Sequence, residues 1–184
     1  RDDLAGVGEH HRDDAVVVGG ERPVTDLVGT DATLRAGLFE NVVQAAEGAL
    51  AARRLRPRAQ ALILLNLSLA LVQLGRIDEA YAPAHDARRL HPGAAHVVAG
   101  TLALAALREG RFEDAALASG YAQRVFRERD ETPDPAEALA IAQATEGLRR
   151  QLSEQRLVEL MRAGASLAEA DVLAIALRAP ARAC

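Results

Sequence analysis

His85, His91 and His96 fall within twelve residues of one another, with Asp78 and Asp86 nearby, so a general base and an acid are both at hand in this 184-residue chain. Catalysis also needs a reacting partner at a set spacing. These histidines fall on different expected helices and turns, with no nucleophile at a recognisable interval. A second cluster, Glu9-His10-His11-Arg12-Asp13-Asp14, lacks both the i,i+4 histidine pair and the cysteine spacing of zinc sites, and adjacent histidines do not share a helix face. It reads as a solvated tail. All 22 basic residues are arginine. Without lysine neither a P-loop, whose lysine reaches the β- and γ-phosphates, nor a Schiff base can be built. The expectation is a non-catalytic chain that takes no cofactor or metal and binds no ATP.

The charge balance narrows the partners. A net charge of −4 and a pI near 5.8 argue against a nucleic-acid footprint, because that affinity comes largely from neutralising phosphates. The one dense basic cluster, Arg53, Arg54, Arg56 and Arg58, lies at the end of an expected helix, where it complements the macrodipole. The single cysteine is the last residue, Cys184, which rules out an intrachain disulfide and suits a reducing, cytoplasmic compartment. The apolar run Ala61 to Leu65 ends at Asn66, and no apolar run in the sequence approaches the length of a membrane span. The chain opens Arg1-Asp2-Asp3, as a fragment or processed product would.

Whatever this chain does must therefore come from its architecture, which carries an internal repeat. Ala45, Ala80 and Ala115 stand 35 residues apart, as do Ala52, Ala87 and Ala122, and Gly75 and Gly110. Arg76/Arg111, Ile77/Phe112 and Pro57/Pro92 keep the same offset. A period of this length marks stacked helical hairpins. Glycine ends the first helix of each hairpin at positive φ, and small alanines let the second helix approach closely. The run Asn66 to Ala80, continuing through Ala87 to Pro92, resembles a tetratricopeptide repeat.

Along the chain, residues 1–30 read as an irregular or disordered lead-in rich in glycine, with one short strand at Val16-Val17-Val18. Residues 31–129 form the helical repeat region. A first helix capped by Asp31 or Thr33 runs to about Leu55 with a break near Gly37; the next are Ala59–Leu74, Asp78–Leu90, Ala94–Glu109 and Phe112 to about Arg129. Pro83 inside the third either kinks that helix or delays its start. Residues 130–184 form a connector with Pro133 and Pro135, followed by a C-terminal helical cap. Its helices run from Ala136 to Leu152 behind Asp134, from Ser153, and from a capping box Ser166-Leu167-Ala168-Glu169 through Leu177. The fold class expected is all-α, a right-handed solenoid of tetratricopeptide-like hairpins with that cap.

The stretch Gly110 to Leu177 is more particular. Gly110-Arg111-Phe112-Glu113-Asp114-Ala115-Ala116, then Gly120-Tyr121-Ala122, the Pro133/Pro135 connector with Glu137-Ala138, and Leu160 to Leu167 with Ala174 to Leu177 resemble the C-terminal end of large bacterial regulatory ATPases. In that family a winged-helix domain or a class III nucleotide cyclase domain precedes an ATPase module, and a helical-repeat region ends the chain. The resemblance implies a module of signal transduction or transcriptional regulation that binds a protein or another domain of its own regulator. Asn66, Gln73, Thr101 and Arg108 are the groove-facing candidates for that contact, Asn66 and Arg108 foremost. The alternative is a stand-alone adaptor or scaffold, homodimerising through the N-terminal hairpin near Leu38 and Val42. Neither nucleic acid nor membrane is an expected partner.

Overall fold

With aromatic residues at 3% of the chain, the interior has to be assembled from leucine, alanine and valine, which helix-on-helix packing permits. A computed structural model describes residues 32–52 and 55–178, and these are all-helical, with no strand among them. The helices are α1 (Ala32–Ala51), α2 (Pro57–Gln73), α3 (Ile77–Leu90), α4 (Ala95–Arg108), α5 (Phe112–Glu128), α6 (Pro135–Gln151), α7 (Glu154–Ser166) and α8 (Glu169–Ala176). A 3₁₀ turn, Pro92–Ala94, leads into α4. The expected lead-in with its histidine cluster and valine run, Asp31, Arg53, Arg54 and Cys184 lie outside the described residues.

The 35-residue offset reappears in the backbone. At the end of α2 the amides of Gly75 and Arg76 donate to the carbonyls of Val72 and Leu71; at the end of α4 those of Gly110 and Arg111 donate to Leu107 and Ala106. Gly75 sits at φ +79° and Gly110 at +76°, a conformation that residues with a Cβ adopt only with strain. The same pattern closes α5, where Asp130 takes the glycine position at φ +53° and Glu131 donates to Phe126. Each first turn after the glycine is braced alike: Arg76 bonds Glu79 at 2.6 and 2.7 Å, and Arg111 bonds Asp114 at 2.8 Å.

These turns fold α3 back on α2 and α5 back on α4. Ala80, Ala87, Ala115 and Ala122 are buried in the seams, and Ser68 Oγ on α2 donates to the Ala80 carbonyl at 2.9 Å. The first copy of the pattern is looser. Ala45 is half-buried, and Ala52 is exposed because α1 stops at Ala51. α1 also runs through Gly37 without a break, and α3 starts at Ile77 despite the buried Pro83 inside it. Pro83 lacks an amide, so the Glu79 carbonyl loses its partner four residues on.

Beyond Asp130 the pattern changes. α6 lies along α4 and reaches α2, α7 packs on α5, α8 packs on α4 and α5, and α6 scarcely touches α7. A Cβ on Gly120 would run into the Met161 carbonyl of α7, and one on Gly164 into the Leu117 carbonyl of α5. Gly120 is thus required for a backbone-to-backbone crossing. Asp134 caps α6, accepting from the amides of Ala136 and Glu137 while Glu137 accepts from the Asp134 amide, a full capping box. The box expected at Ser166–Glu169 does not form. α7 extends through Ser166, whose hydroxyl bonds back to the Arg162 carbonyl at 3.1 Å, and Ala168 precedes α8 without a side-chain cap. Among the described residues no helix is long and apolar enough to cross a membrane.

Two substitutions and a control test this packing. Ala80→Leu should destabilise by about 1–3 kcal/mol, since a fully buried seam has no room for three more carbons; an unchanged denaturation midpoint would show that the seam is not as described. Gly120→Ala should cost a similar ~1–3 kcal/mol through the clash with α7. Gly48→Ala, in the exposed last turn of α1 with nothing near, should cause no loss of stability. Equal effects from the two glycine substitutions would contradict the α5–α7 contact.

Candidate functional site

The four residues expected to line a groove separate into three environments. Asn66 is exposed on α2, next to Leu62, which is 43% exposed and one turn earlier on the same helix. Gln73 ends α2 and Arg108 ends α4, and the structure joins them. Arg108 Nη1 donates to the Val72 carbonyl, and Nη2 approaches Gln73 Oε1 at 3.4 Å. A cation over the last carbonyls of α2 suits the helix macrodipole. Burial lowers the Arg108 pKa. Arg108 therefore acts as a strut between α2 and α4, which corrects its expected role as a free grip for a partner.

Thr101 also departs from expectation. It is 4% exposed, because α6 lies over this part of α4. Together with Val97, Gly100, Phe126, Glu137, Ala140 and Ile141 it lines a cleft of about 10 Å³, room for at most one water. Phe126 and Ile141 continue into an open surface groove of about 360 Å³, bordered by Gln123, Arg127, Asp130, Glu131 and Pro133.

Two titratable groups meet this region. The Glu137 carboxyl is pushed up to about 7, first by burial and then by the neighbouring Asp134 and Glu131 charges, against the pull of the hydrogen bond from the Asp134 amide. His96, at the start of α4, is 3% exposed; its Nε2 lies 2.8 Å from Glu131, its ring meets Phe126 edge-on, and Arg129 is 3.5 Å from Nδ1. Burial lowers its pKa, opposed by the bond to Glu131. Arg129 also donates to the Gly93 carbonyl at 2.7 Å, so the connector after α5 is fastened to the start of α4. The other histidines do not converge on His96: His85 is exposed, with Asp86 at 3.7 Å, and His91 caps the end of α3. Among the described residues no group of three or more His, Cys, Asp or Glu side chains is arranged to hold a metal ion.

Two polar clusters had no clear sequence signal. Tyr81 of α3 donates to Glu109 Oε2 at 2.7 Å and accepts from Arg111 at 2.8 Å, while Arg111 also bonds Glu109 and Asp114. Burial, reinforced by the Glu109 bond, raises the Tyr81 pKa. Glu169, the first residue of α8, accepts from Arg88 of α3 at 3.1 Å and from Tyr121 of α5 at 3.3 Å. The sequence offset foreshadowed only the placing of Arg111 opposite Arg76; apart from the local bonds of Arg111 to Glu109 and Asp114, these contacts link residues 28 to 81 positions apart. Compared with protein-family models, with curated proteins and with solved structures, the chain finds no match.

Glu137 gives these electrostatics a test. The folded chain holds its proton up to about pH 7, whereas an unfolded chain releases it near 4.5. The proton's contribution to stability is thus complete below about pH 4.5 and lost as the pH rises through about 7. Glu137→Gln stays neutral and keeps an acceptor for the Asp134 amide. Its denaturation midpoint relative to the parent should rise between about pH 5 and pH 8. A difference that stays flat over that range would mean that Glu137 is solvated.

Proposed function

We propose that the chain is a non-catalytic protein-interaction module: tetratricopeptide-like hairpins closed by a C-terminal helical cap, serving as the helical-repeat part of a bacterial, cytoplasmic signal-transduction or transcriptional regulator. The observation that carries this reading is the repetition, bond for bond, of the turns after α2 and α4 at a 35-residue offset. Stacked hairpins present a surface by geometry alone, without dedicated chemistry. The binding residues favoured are Leu62 and Asn66 on α2, since Thr101 is covered and Gln73 and Arg108 hold the two hairpins together. The partner is a protein or another domain of the same regulator.

A second reading, an adaptor that homodimerises through α1, is favoured by Leu38, which is 47% exposed. Light scattering over a concentration series, with Leu38→Glu as control, separates the two.

Capture of a partner from a bacterial lysate should be reduced at least about tenfold by Leu62→Glu combined with Asn66→Ala, a loss of ~1.4 kcal/mol, and left intact by Val158→Glu on the exposed side of α7. Equal capture by all three chains, or tight binding of duplex DNA at physiological salt, would overturn the interaction reading.

A further inference from the structure

Charge is divided unevenly along this chain. Residues 1–31 hold eight of the 26 acidic residues and three of the 22 arginines, a net of −5 with histidine neutral. Since the whole chain is −4, residues 32–184 are +1. Within the acidic stretch, Asp13-Asp14 stands directly ahead of its longest apolar run, Ala15-Val16-Val17-Val18. A stripe of complementary character lies on α2.

Leu38, Leu62 and Val158 are the large apolar side chains exposed among the described residues, and their settings differ in charge. α1 carries Glu40 and Glu47, and on α7 Val158 is flanked by Glu154 and Glu159. α2 has no acidic residue in its 17 positions. Arg58, Leu62 and Asn66, all exposed and four residues apart, line one face of it, and Arg56 immediately precedes its first residue. Arg76, Arg88 and Arg111 each have a carboxylate within 4 Å; among the described residues Arg56 and Arg58 have none. Both stand at the start of a helix, where arginine adds to the positive end of the dipole instead of offsetting it. From Arg56 to Asn66 the helix rises about 15 Å, close to the ~17 Å spanned by Asp13 to Val18 when extended. The connection is long enough. Glu40 lies 3.9 Å from Arg76 beyond the far end of α2, so α1 runs antiparallel to α2 and begins about 30 Å from Arg58. The 13 residues between Val18 and Ala32 reach more than about 40 Å.

We infer that the segment Asp13-Asp14-Ala15-Val16-Val17-Val18 docks in cis along α2, its aspartates against Arg56 and Arg58 and its valines against Leu62, with Asn66 beyond them. Pairs of exposed charges are weak singly, but tethering makes the contact intramolecular and raises its occupancy without any further contact. The inference rests on the reading of Leu62 and Asn66 as the partner-binding face and supplies its regulation. Segment and partner compete for one stripe, so apparent affinity scales with the fraction of molecules in which the stripe is open.

The test uses the full chain. Cys184→Ser with Gly20→Cys leaves one thiol, just past the valines, for a nitroxide spin label. Magnetic-resonance line broadening by the label should be strong at the amides of Leu62 and Asn66 and absent at Val158. Arg56→Glu with Arg58→Glu should remove it; acidic residues suit a helix start, so that variant keeps α2. Adding Asp13→Arg and Asp14→Arg to the same chain should restore the broadening through reversed pairs. A synthetic peptide of residues 9–20 gives an independent reading. It should bind at least about tenfold more tightly to the full chain bearing Asp13→Arg with Asp14→Arg than to the parent, whose stripe is already occupied. Broadening spread evenly over the surface, a loss that the charge swap does not restore, or equal peptide binding by the two chains would overturn the inference. So would a loss of broadening caused by Asp2→Arg with Asp3→Arg and not by the Asp13 and Asp14 changes. Any of these results would leave intact a lysate partner that depends on Leu62 and Asn66, so the two readings fail separately.

Discussion

Where α5 crosses α7, neither helix has space for a side chain: the Met161 carbonyl lies where Gly120 would carry a Cβ, and the Leu117 carbonyl where Gly164 would. The same economy runs through the molecule. Its seams are made of Ala80, Ala84, Ala87, Ala103, Ala115 and Ala122, all buried, and the largest fully buried side chains are leucines and valines. Dispersion from a methyl group is small, so a core of this kind holds only if backbones come close enough for many weak contacts to add up. Approach distance is therefore the controlling variable, and it is why α5 can be shared by α4, α6, α7 and α8 at once.

Close helices leave little interior for polar groups, so these gather at helix ends and act as ties. Arginine takes every position that either basic residue, arginine or lysine, could fill, and its fork bonds two or three acceptors where an ammonium would act as a point charge. Arg111 holds Glu109, Asp114 and the Tyr81 hydroxyl; Arg108 holds the last turn of α2; Arg129 holds Gly93. Glu169 joins α8 to both α3 and α5 from a single carboxylate. Partly exposed pairs of this kind add little stability individually, and their value is in fixing how one helix end meets another.

How much of this was legible depended on the range of the interaction. Gly75, Gly110 and the alanine columns state local rules, a turn that needs positive φ and a face that needs a methyl group, and they were readable residue by residue. Ser166–Glu169 also obeyed a local rule, and it failed because α7 continues through Ser166 and gives its hydroxyl a nearer acceptor, the Arg162 carbonyl. Thr101 was misread for a different reason. Its helix face was inferred from the repeat, but what covers that face is α6, which arrives from beyond the connector, and nothing in the α4 sequence announces it. Nothing in the α5 sequence marks Gly120 as required, since the backbone that demands it belongs to a helix about forty residues on.

The helix starts divide the molecule in a further way. α2, α3, α4 and α5 all begin without a side-chain hydrogen bond to their first-turn amides, whereas α6 begins with a complete capping box at Asp134 and α7 with Ser153 accepting from Arg156. A helix that satisfies its own opening amides asks less of its neighbours in order to exist. The repeat half of the chain is consequently helical because it is packed, and the first two helices after the connector are packed as units already suited to being helical.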